Sequence, residues 1–325
     1  MSFFKTAMSF FKTAMSFFKT AINSGLIVVV LLAVSSCEPE EKRIFYLNSY
    51  HEGYPSSDSI YQGILDILET EKVLLEVYYL DSKRNPEPEI LEARMSEAVK
   101  KCRDFRPDLV IASDDHAVSG VVAPHLQDEF PVVFCGVNWS AGQYQLGPSV
   151  TGMLEVLPLR ETIELVRKQY PDLKKISILS ENSVSEKNNT LLLDTLYRNM
   201  GLSPTYMLVD DFEQWKNACL EAMENSDIIY MPTQGAIRDW KRNEAISFVR
   251  EHSRIPSITC DDFMMAYCMF GLTKVAAEQG RWAAESALRI LEGRDPSSIP
   301  YARNQLFEAH FNPDLAAVID FKQPE

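Results

Sequence analysis

The sequence predicts an α/β protein built from two mostly parallel sheets, each flanked by helices. Apolar runs of four to six residues, bounded by turn residues, alternate with longer segments of helical periodicity. This alternation is typical of βαβ units. The series runs to about residue 150 and then starts again, and a chain of 325 residues is long enough for two such layers.

The first series gives four strands and three helices in alternation. The strand candidates are RIFYLN, VLLEVYYLD, PDLVIAS and PVVFCGV. The helices are expected over 57–70, 87–105 and 117–128. The runs PDLVIAS and PVVFCGV have no polar alternation, which favours central strands buried on both faces.

The second series repeats the pattern. Its strand candidates are SVTGMLEV, KKISILS, PTYMLVD, SDIIYMP and IPSITCDD, and its helices are expected from Pro158 and over 186–200, 212–224 and 236–252. The last part holds FGLTKVA, a helix over 278–292 and an extended stretch at 305–310.

The two layers predict two lobes without a long linker. We assign 43–150, with about 270–298 crossing back, to the first lobe, and 151–269, with about 299–325, to the second. The first crossing is expected within 147–156, where one series ends and the next begins.

The N-terminus reads as an export signal, residues 1–37, followed by a solvated tether at 38–42. The first 21 residues repeat MSFFKTA three times, each copy with its own Met, so translation from Met1, Met8 or Met15 is open. The repeat fits either a tandem duplication or an amphipathic surface helix. From Met15 the chain has a Lys and then nine apolar residues, too few to span a bilayer, which takes about 20.

Two serines and then a cysteine follow that apolar run. The tetrapeptide VSSC resembles a bacterial lipobox, which predicts that Cys37 is lipidated and becomes the mature N-terminus. The alternative is ordinary secretory cleavage beside an unrelated cysteine. The five later cysteines are scattered without C-x-x-C spacing, which indicates neither a disulfide framework nor a zinc site.

Charge and motifs exclude several classes of function. A net charge of −14 argues against nucleic acid as a partner. The chain has no G-x-S-x-G, Walker, H-E-x-x-H or G-x-G-x-x-G motif, so no catalytic residue, metal or cofactor is assigned. The carboxylate–histidine group in SDDH is too small by itself to predict a metal site or a hydrolase.

Polar and aromatic residues gather after successive strands in both halves. Because ligands of open parallel sheets bind beyond the carboxyl ends of the strands, these residues predict a small-molecule cleft. The ligand-binding candidates are Tyr50, His51, Tyr54, Asp58, Ser113, Asp114, Asn138, Trp139, Glu155, Thr233, Gln234, Asp261 and Lys274. Structural roles are the alternative: Asp114, Asp115 or Asp262 as helix caps, Trp139 packed under its loop, and Tyr50 and Tyr54 as a shield for the hinge.

Several segments, taken in order, resemble a known family. They are DLVIASDDHA, PVVFCGVNWSAG, VTGMLEVLPLRETIELVRKQYPDLKKISIL, SDIIYMPTQGAI, IPSITCDDFM and EQGRWAAESALRILEGRDPSSIP. They are similar to ABC-transporter substrate-binding proteins related to the tryptophan/tyrosine-binding type. The opening loop SYHEGYPSSDSIYQGI is also similar to extracytoplasmic sensor modules of receptors.

The resemblance implies a two-lobed type I periplasmic-binding-protein fold with ligand held between the lobes. Ser113 and Asp114 match a loop that in relatives binds a ligand carboxylate, but Asp114 and Asp115 replace neutral residues there. That change favours a cationic or polyhydroxylated ligand, whereas Lys274 suits an anionic group and leaves a zwitterion open.

The prediction is therefore a lipid-anchored, extracytoplasmic solute-binding protein that serves a membrane permease and does no chemistry. Its partners would be a small molecule, with amino-acid-like compounds among the candidates, a permease or receptor, and the membrane through the lipid. The alternatives are a sensing subunit that signals without transport and, from another class, a lipid-anchored hydrolase.

Overall fold

A computed structural model describes residues 41–324. The signal segment, the repeats, Cys37 and most of the tether lie outside the described residues. The strands, numbered along the chain, are β1 Lys42–Asn48, β2 Val73–Tyr79, β3 Leu109–Ser113, β4 Val132–Asn138, β5 Val150–Glu155, β6 Lys175–Glu181, β7 Ser203–Val209, β8 Ile228–Tyr230, β9 Ser257–Thr259, β10 Phe270–Lys274, β11 Ala302–Arg303 and β12 Phe307–Phe311.

The helices lie between these strands, as the periodicity predicts. They are α1 Pro55–Leu68, α2 Pro88–Phe105, α3 Asp114–Ala117, α4 Leu159–Arg167, α5 Val184–Asn199, α6 Phe212–Asn225, α7 Arg242–His252, α8 Ala276–Leu291 and α9 Pro313–Ala316. The helix expected over 117–128 is a short α-helical turn, α3, that continues as a π-helix over Val118–Leu126. The helix expected over 236–252 begins only at Arg242, because 233–241 forms turns.

Two six-stranded sheets confirm the predicted fold class. The first has the order β11-β5-β4-β3-β1-β2 and is parallel throughout. The second has the order β12-β10-β9-β8-β6-β7 and is parallel except for the edge strand β12, which runs antiparallel to β10. Each sheet is the centre of one lobe.

The lobe boundaries differ from the predicted ones at three strands, of which β11 pairs with β5 in the first sheet although 299–325 is expected in the second lobe. β5 pairs with β4 in the first sheet, so the first crossing follows Glu155 and not residue 150. β10 pairs with β9 in the second sheet, so the chain returns to the first lobe at Val275, after the predicted position near 270. Both strands are buried, and burial alone does not reveal which sheet a strand joins.

Three segments of the chain therefore cross between the lobes, and hydrogen bonds join them to one another. Asn304, after β11, accepts a hydrogen bond from the Val156 amide at 2.7 Å and donates one to the Val156 carbonyl at 3.1 Å. The Val275 amide donates to the Leu306 carbonyl at 3.1 Å. These bonds tie the three crossings into one hinge.

The core of the first lobe lies on both faces of its sheet, because side chains alternate along a strand. Phe45 and Leu47 of β1 pack on one face, and Ile44 and Tyr46 pack on the other, where α1 and α8 cover them. α8 lies unusually close to α1: a methyl group at Gly280 would lie 1.9 Å from the carbonyl oxygen of Ile60. Glycine at this position allows the helix that follows the hinge to seat against the first lobe.

Candidate ligand site between the two lobes

The carboxyl ends of the strands in both sheets meet at one cleft, which holds a cavity of about 40 Å³. Both lobes supply its walls. The lining residues are Tyr50, Tyr54, Ser56, Lys83, Asp114, Asn138, Glu155, Leu157, Ser185, Glu186, Asn189, Pro232, Thr233, Asp261, Phe263 and Lys274. The lining joins aromatic walls to several charged groups, which is the make-up of a small-molecule site.

Asn48, at the end of β1, shapes the loop that supplies the two tyrosines. Its Oδ1 accepts hydrogen bonds from the Tyr50 amide at 2.9 Å and the Ser57 hydroxyl at 3.0 Å. Its Nδ2 donates to the Tyr46 hydroxyl at 2.9 Å. An asparagine that bonds the backbone two residues ahead forms an Asx-turn, and this turn directs the loop into the cleft.

The tyrosines line the cavity and one of them reaches the other lobe. Tyr50 and Tyr54 meet edge to face, with ring centroids 4.9 Å apart. The Tyr54 hydroxyl lies 3.0 Å from the Thr233 hydroxyl, and its ring lies 5.9 Å from that of Phe263. Tyr54 belongs to the first lobe, and Thr233 and Phe263 belong to the second, so this is a direct contact across the cleft.

A buried ion pair makes a second contact across the cleft. Lys83 follows β2, and its Nζ lies 2.5 Å from Oε1 of Glu181, the last residue of β6. The lysine side chain is 4% exposed and the glutamate side chain 0%. Burial alone would lower the pKa of Lys83, but the Glu181 carboxylate raises it above its ordinary value. Lys83 therefore stays protonated, and its Nζ lies 4.7 Å from the Tyr50 ring centroid.

A third contact between the lobes is ionic and lies beside the hinge. Lys274, at the end of β10, donates a hydrogen bond to Glu155, at the end of β5, and its Nζ lies 3.2 Å from Oδ1 of Asp261. Burial opposes its charge, but Asp261 and Glu155 raise the pKa of Lys274 well above its ordinary value. Glu155 belongs to the first lobe and the other two to the second, so the group joins the lobes.

Asp114 is the first residue after β3 and has a left-handed backbone, with φ of 68°. It is 6% exposed, and its Oδ2 has no hydrogen-bond partner among the described residues. Burial, and next the nearby Glu155 carboxylate, raise the pKa of Asp114 well above its ordinary value. Asp114 does not act as the cap of α3, because the capping position is held by Ser113. The Ser113 side chain makes no capping hydrogen bond.

Asp115 and Glu186 differ from Asp114 because their oxygens have partners. Asp115 accepts from Asn138 Nδ2 at 2.6 Å and from the Tyr144 hydroxyl at 2.5 Å. Glu186, in the first turn of α5, accepts from the Ser180 hydroxyl at 2.8 Å and from Asn189 Nδ2 at 2.9 Å. Burial, and next the Glu181 carboxylate, raise the pKa of Glu186 to about 7.

Eight of the predicted ligand residues line the cavity and five do not. The eight are Tyr50, Tyr54, Asp114, Asn138, Glu155, Thr233, Asp261 and Lys274. Whether they bind ligand stays a prediction, but the fold brings them together.

The other five have local contacts instead. Asp58 is exposed and accepts from the Gly53 amide at 3.1 Å, and His51 Nδ1 lies 3.6 Å from Asp81. The Ser113 hydroxyl lies 3.0 Å from that of Tyr46. The Gln234 carbonyl accepts from the Ile237 amide. The exception is Trp139, which follows β4 of the first lobe and packs against the core of the second lobe, whereas the packing alternative placed it under its own loop.

Sequence reasoning missed two charged residues of this site, Lys83 and Glu186, and the pairing of a third, Glu181. Lys83 lies in a polar loop that reads as ordinary surface, and Glu186 lies on a helix that reads as solvated. Glu181 ends a strand, and the expectation that ligand-binding residues follow strand ends includes it, but nothing in the sequence pairs it with Lys83. The partnership spans 98 residues and needs both lobes in place.

The described residues contain no group of three or more His, Cys, Asp or Glu side chains placed to hold a metal ion. Within the same part of the chain, every helix is too short or too polar to cross a bilayer.

The chain belongs to the family of ABC transporter substrate binding proteins, whose family model matches residues 52–325. This is a family of binding proteins and not of enzymes. Among curated proteins, the chain is similar to a tyrosine-binding protein of Clostridioides difficile, with 24% identity over 182 residues. That match covers 54% of this chain and 51% of the relative, so it spans about half the length of the curated protein.

Solved structures share the fold. One is an ABC domain in complex with L-Trp from Streptococcus pneumoniae, with a TM-score of 0.70, 17% identity, and coverage of 88% of this chain and 96% of that one. Another is the ligand-free, open structure of a substrate binding protein with adhesive properties from Clostridium difficile, with a TM-score of 0.65, 16% identity, and coverage of 87% and 96%. The two-lobed type I periplasmic-binding-protein fold is thereby confirmed.

Proposed function

We propose that this protein is an extracytoplasmic, lipid-anchored solute-binding protein that captures a small molecule between its lobes for an ABC-type importer. The observation that carries the proposal is the cavity between the strand ends, to which both lobes contribute charged and aromatic side chains. Family membership supports the extracytoplasmic location and the importer as partner.

The arrangement supports capture by closure of the lobes. A cavity of about 40 Å³ has room for only a few water molecules, since one water needs about 10–15 Å³ of cavity volume. An organic ligand therefore requires the lobes to separate, and three bonded crossings provide a hinge for that motion. The contacts Tyr54–Thr233 and Lys83–Glu181 would break on opening and form again on closing.

The relatives support a ligand of small size. One curated relative is a tyrosine-binding protein, and one structural neighbour is complexed with L-Trp. The aromatic walls formed by Tyr50, Tyr54 and Phe263 suit a ligand with an apolar part.

The binding proposal is tested by native mass spectrometry of the purified protein, which should show a retained small molecule lost on unfolding. Calorimetric titration with that molecule then compares Asp261→Asn of the second lobe and Asn138→Ala of the first with the control Asp58→Asn, which is exposed. Binding that depends on both lobes is expected. If a substitution in only one of the two lobes weakened binding, capture between the lobes would be contradicted.

The anchor proposal rests on VSSC after the apolar run and concerns residues outside the described part of the chain. Cys37→Ser should move the protein from the membrane fraction to the soluble extracytoplasmic fraction. Deletion of 1–14 should leave export and lipidation intact, since the signal from Met15 is sufficient. A Cys37→Ser protein that stays in the membrane fraction would assign anchoring to the uncleaved signal.

A further inference from the structure

The cavity is lined by four carboxyl groups, Asp114, Glu155, Glu186 and Asp261, and by two ammonium groups. Lys83 and Lys274 are the cationic side chains in the lining, among the residues that the structure describes. Lys83 is paired with Glu181, and Lys274 with Glu155 and Asp261. Both lysines thus already have carboxylate partners, and a ligand carboxylate would have to compete with them.

Two further carboxyl groups of the lining remain, Asp114 and Glu186, and only one has an open acceptor. Each oxygen of Glu186 already accepts a hydrogen bond from a protein side chain. Asp114 Oδ2 is buried and has no partner among the described residues. A buried acceptor without a donor is unfavourable, and a donor from the ligand would relieve that cost.

We infer that the ligand is a cationic amine that places its protonated nitrogen against Asp114 and brings no carboxylate into the cavity. The inference rests on the proposed function and assigns its substrate class. The left-handed backbone at Asp114 holds the carboxyl over the strand ends, where the chain of Gly136 approaches closely: a methyl group at Gly136 would lie 3.1 Å from Asp114 Oδ1.

The charged surroundings of Asp114 make the binding of such an amine dependent on pH. Several titratable groups interact electrostatically with the carboxyl group of Asp114. They are the carboxylates of Glu155 and Asp115, the ammonium groups of Lys274 and Lys83, the hydroxyls of Tyr46 and Tyr50 and the thiol of Cys135. Because burial raises the pKa of Asp114, the free closed site favours the protonated carboxyl, and a bound cation would displace that proton. Affinity for an amine should therefore increase with pH until Asp114 is ionised without ligand.

The experiment uses matched pairs of probes in calorimetric titration of the exported protein. The pairs are tyramine with L-tyrosine and cadaverine with L-lysine, each an amine and the amino acid that differs from it by a carboxylate. At least one amine should bind about tenfold or more tightly than its partner acid. Asp114→Asn should weaken that amine about a hundredfold, because a buried charge then loses its partner.

Three controls keep the outcome clear. Asp58→Asn, at an exposed carboxyl outside the cavity, should bind the amine as the wild type does. Thermal melts should show that Asp114→Asn is folded. The rise of amine affinity with pH should persist in Asp58→Asn and be lost in Asp114→Asn, which assigns the rise to Asp114.

Two results would overturn the inference. One is an amino acid that binds more tightly than its amine in both pairs; the cleft would then still be a binding site and the proposed function would stand. The other is no amine binding at all. If native mass spectrometry also finds no retained molecule and no amino acid binds, the proposed function fails together with the inference.

Discussion

Lys83 and Glu181 lie 2.5 Å apart, belong to different lobes and are almost fully buried. A buried pair of opposite charges adds little stability compared with apolar packing, but loss of one partner is expensive because the other charge stays in a poor solvent. If Lys83 is removed, the Glu181 carboxylate can still be hydrated, because opening the cleft exposes it to water. The pair therefore links the position of the lobes to the hydration of one carboxylate.

Lys83→Met should shift the protein toward an open form. Removing one partner of a buried pair costs about 3–5 kcal/mol in the closed state, and separation of the lobes relieves that cost. Small-angle X-ray scattering should show a larger radius of gyration than in the wild type.

Arg103→Met provides the matched control for Lys83→Met. Arg103 and Glu129 are 2.6 Å apart within the first lobe, and their side chains are 49% and 41% exposed. Its effect on stability should stay below about 1 kcal/mol, without a change in size. An unchanged radius of gyration in Lys83→Met would contradict the role of the pair in closure.

Tyr54→Phe removes the hydroxyl that lies 3.0 Å from the Thr233 hydroxyl across the cleft and keeps the ring. A loss of about 1 kcal/mol is expected for one hydrogen bond, seen as about fivefold weaker ligand binding. A double-mutant cycle with Thr233→Val, measured by calorimetric titration, should give a coupling energy of similar size. Additive effects of the two substitutions would show that the hydroxyls do not act as a pair. Tyr78→Phe, whose hydroxyl donates to Glu97 within the first lobe, is the control and should leave binding unchanged.

Alternating apolar runs were sufficient to predict both sheets and most helices. Strands such as PDLVIAS and KKISILS have strong β-propensity and clear boundaries, and the structure has them as β3 and β6. The assignment of β5 and β10 to lobes failed because either sheet offers the same buried surroundings to an apolar strand. The two-residue strand β11 was not predicted, so its residues were assigned to the wrong lobe as well. Pairing is a property of the assembled sheet and has no local signal.

The site was predicted to the extent that it follows strand ends. Asp114, Asp261 and Lys274 lie directly at such ends, and all three line the cavity. Lys83 and Glu186 come from a loop and a helix, and only the closing of one lobe on the other brings them there. His51 and Asp58 are close in sequence to Tyr54, but neither lines the cavity, and both have partners within the first lobe.

Glu186→Gln should change how stability depends on pH. The pKa of Glu186 is raised from an ordinary value of 4.5 to about 7 in the folded protein, so the folded state binds its proton more tightly than the unfolded state. Its contribution to stability is complete below about pH 4.5 and is lost as pH rises to about 7, a change on the order of 3 kcal/mol.

The variant should therefore lack this decline and be more stable than the wild type at pH 8. Urea unfolding at pH 5 and pH 8 measures the difference. Glu164→Gln, at an exposed position on α4, should follow the wild type. A decline between the two pH values that is equal in Glu186→Gln and the wild type would exclude Glu186 as its source.

Gly280→Ala should destabilise the first lobe strongly. The added methyl group would lie 1.9 Å from a backbone oxygen of α1, so the two helices must move apart. Overpacking of this kind costs about 1–3 kcal/mol or more. Gly142→Ala is the control, since its methyl group would find only ordinary contact, 3.5 Å from the Ser140 hydroxyl. Thermal melts compare the two, and an equal melting temperature would contradict the close packing of α8 on α1.

The three crossings have a consequence for how the molecule is assembled from its N-terminus onward. The first lobe needs α8 and β11, which lie more than a hundred residues after β5, and without α8 the side chains of Ile44, Tyr46 and Ile60 lack their cover. A chain that emerges from a ribosome or a translocon N-terminus first therefore exposes this apolar face of the first sheet until α8 has also emerged. The first lobe cannot fold completely before the second has been synthesised. A truncated product should therefore aggregate or be degraded, and it should not form a functional isolated lobe.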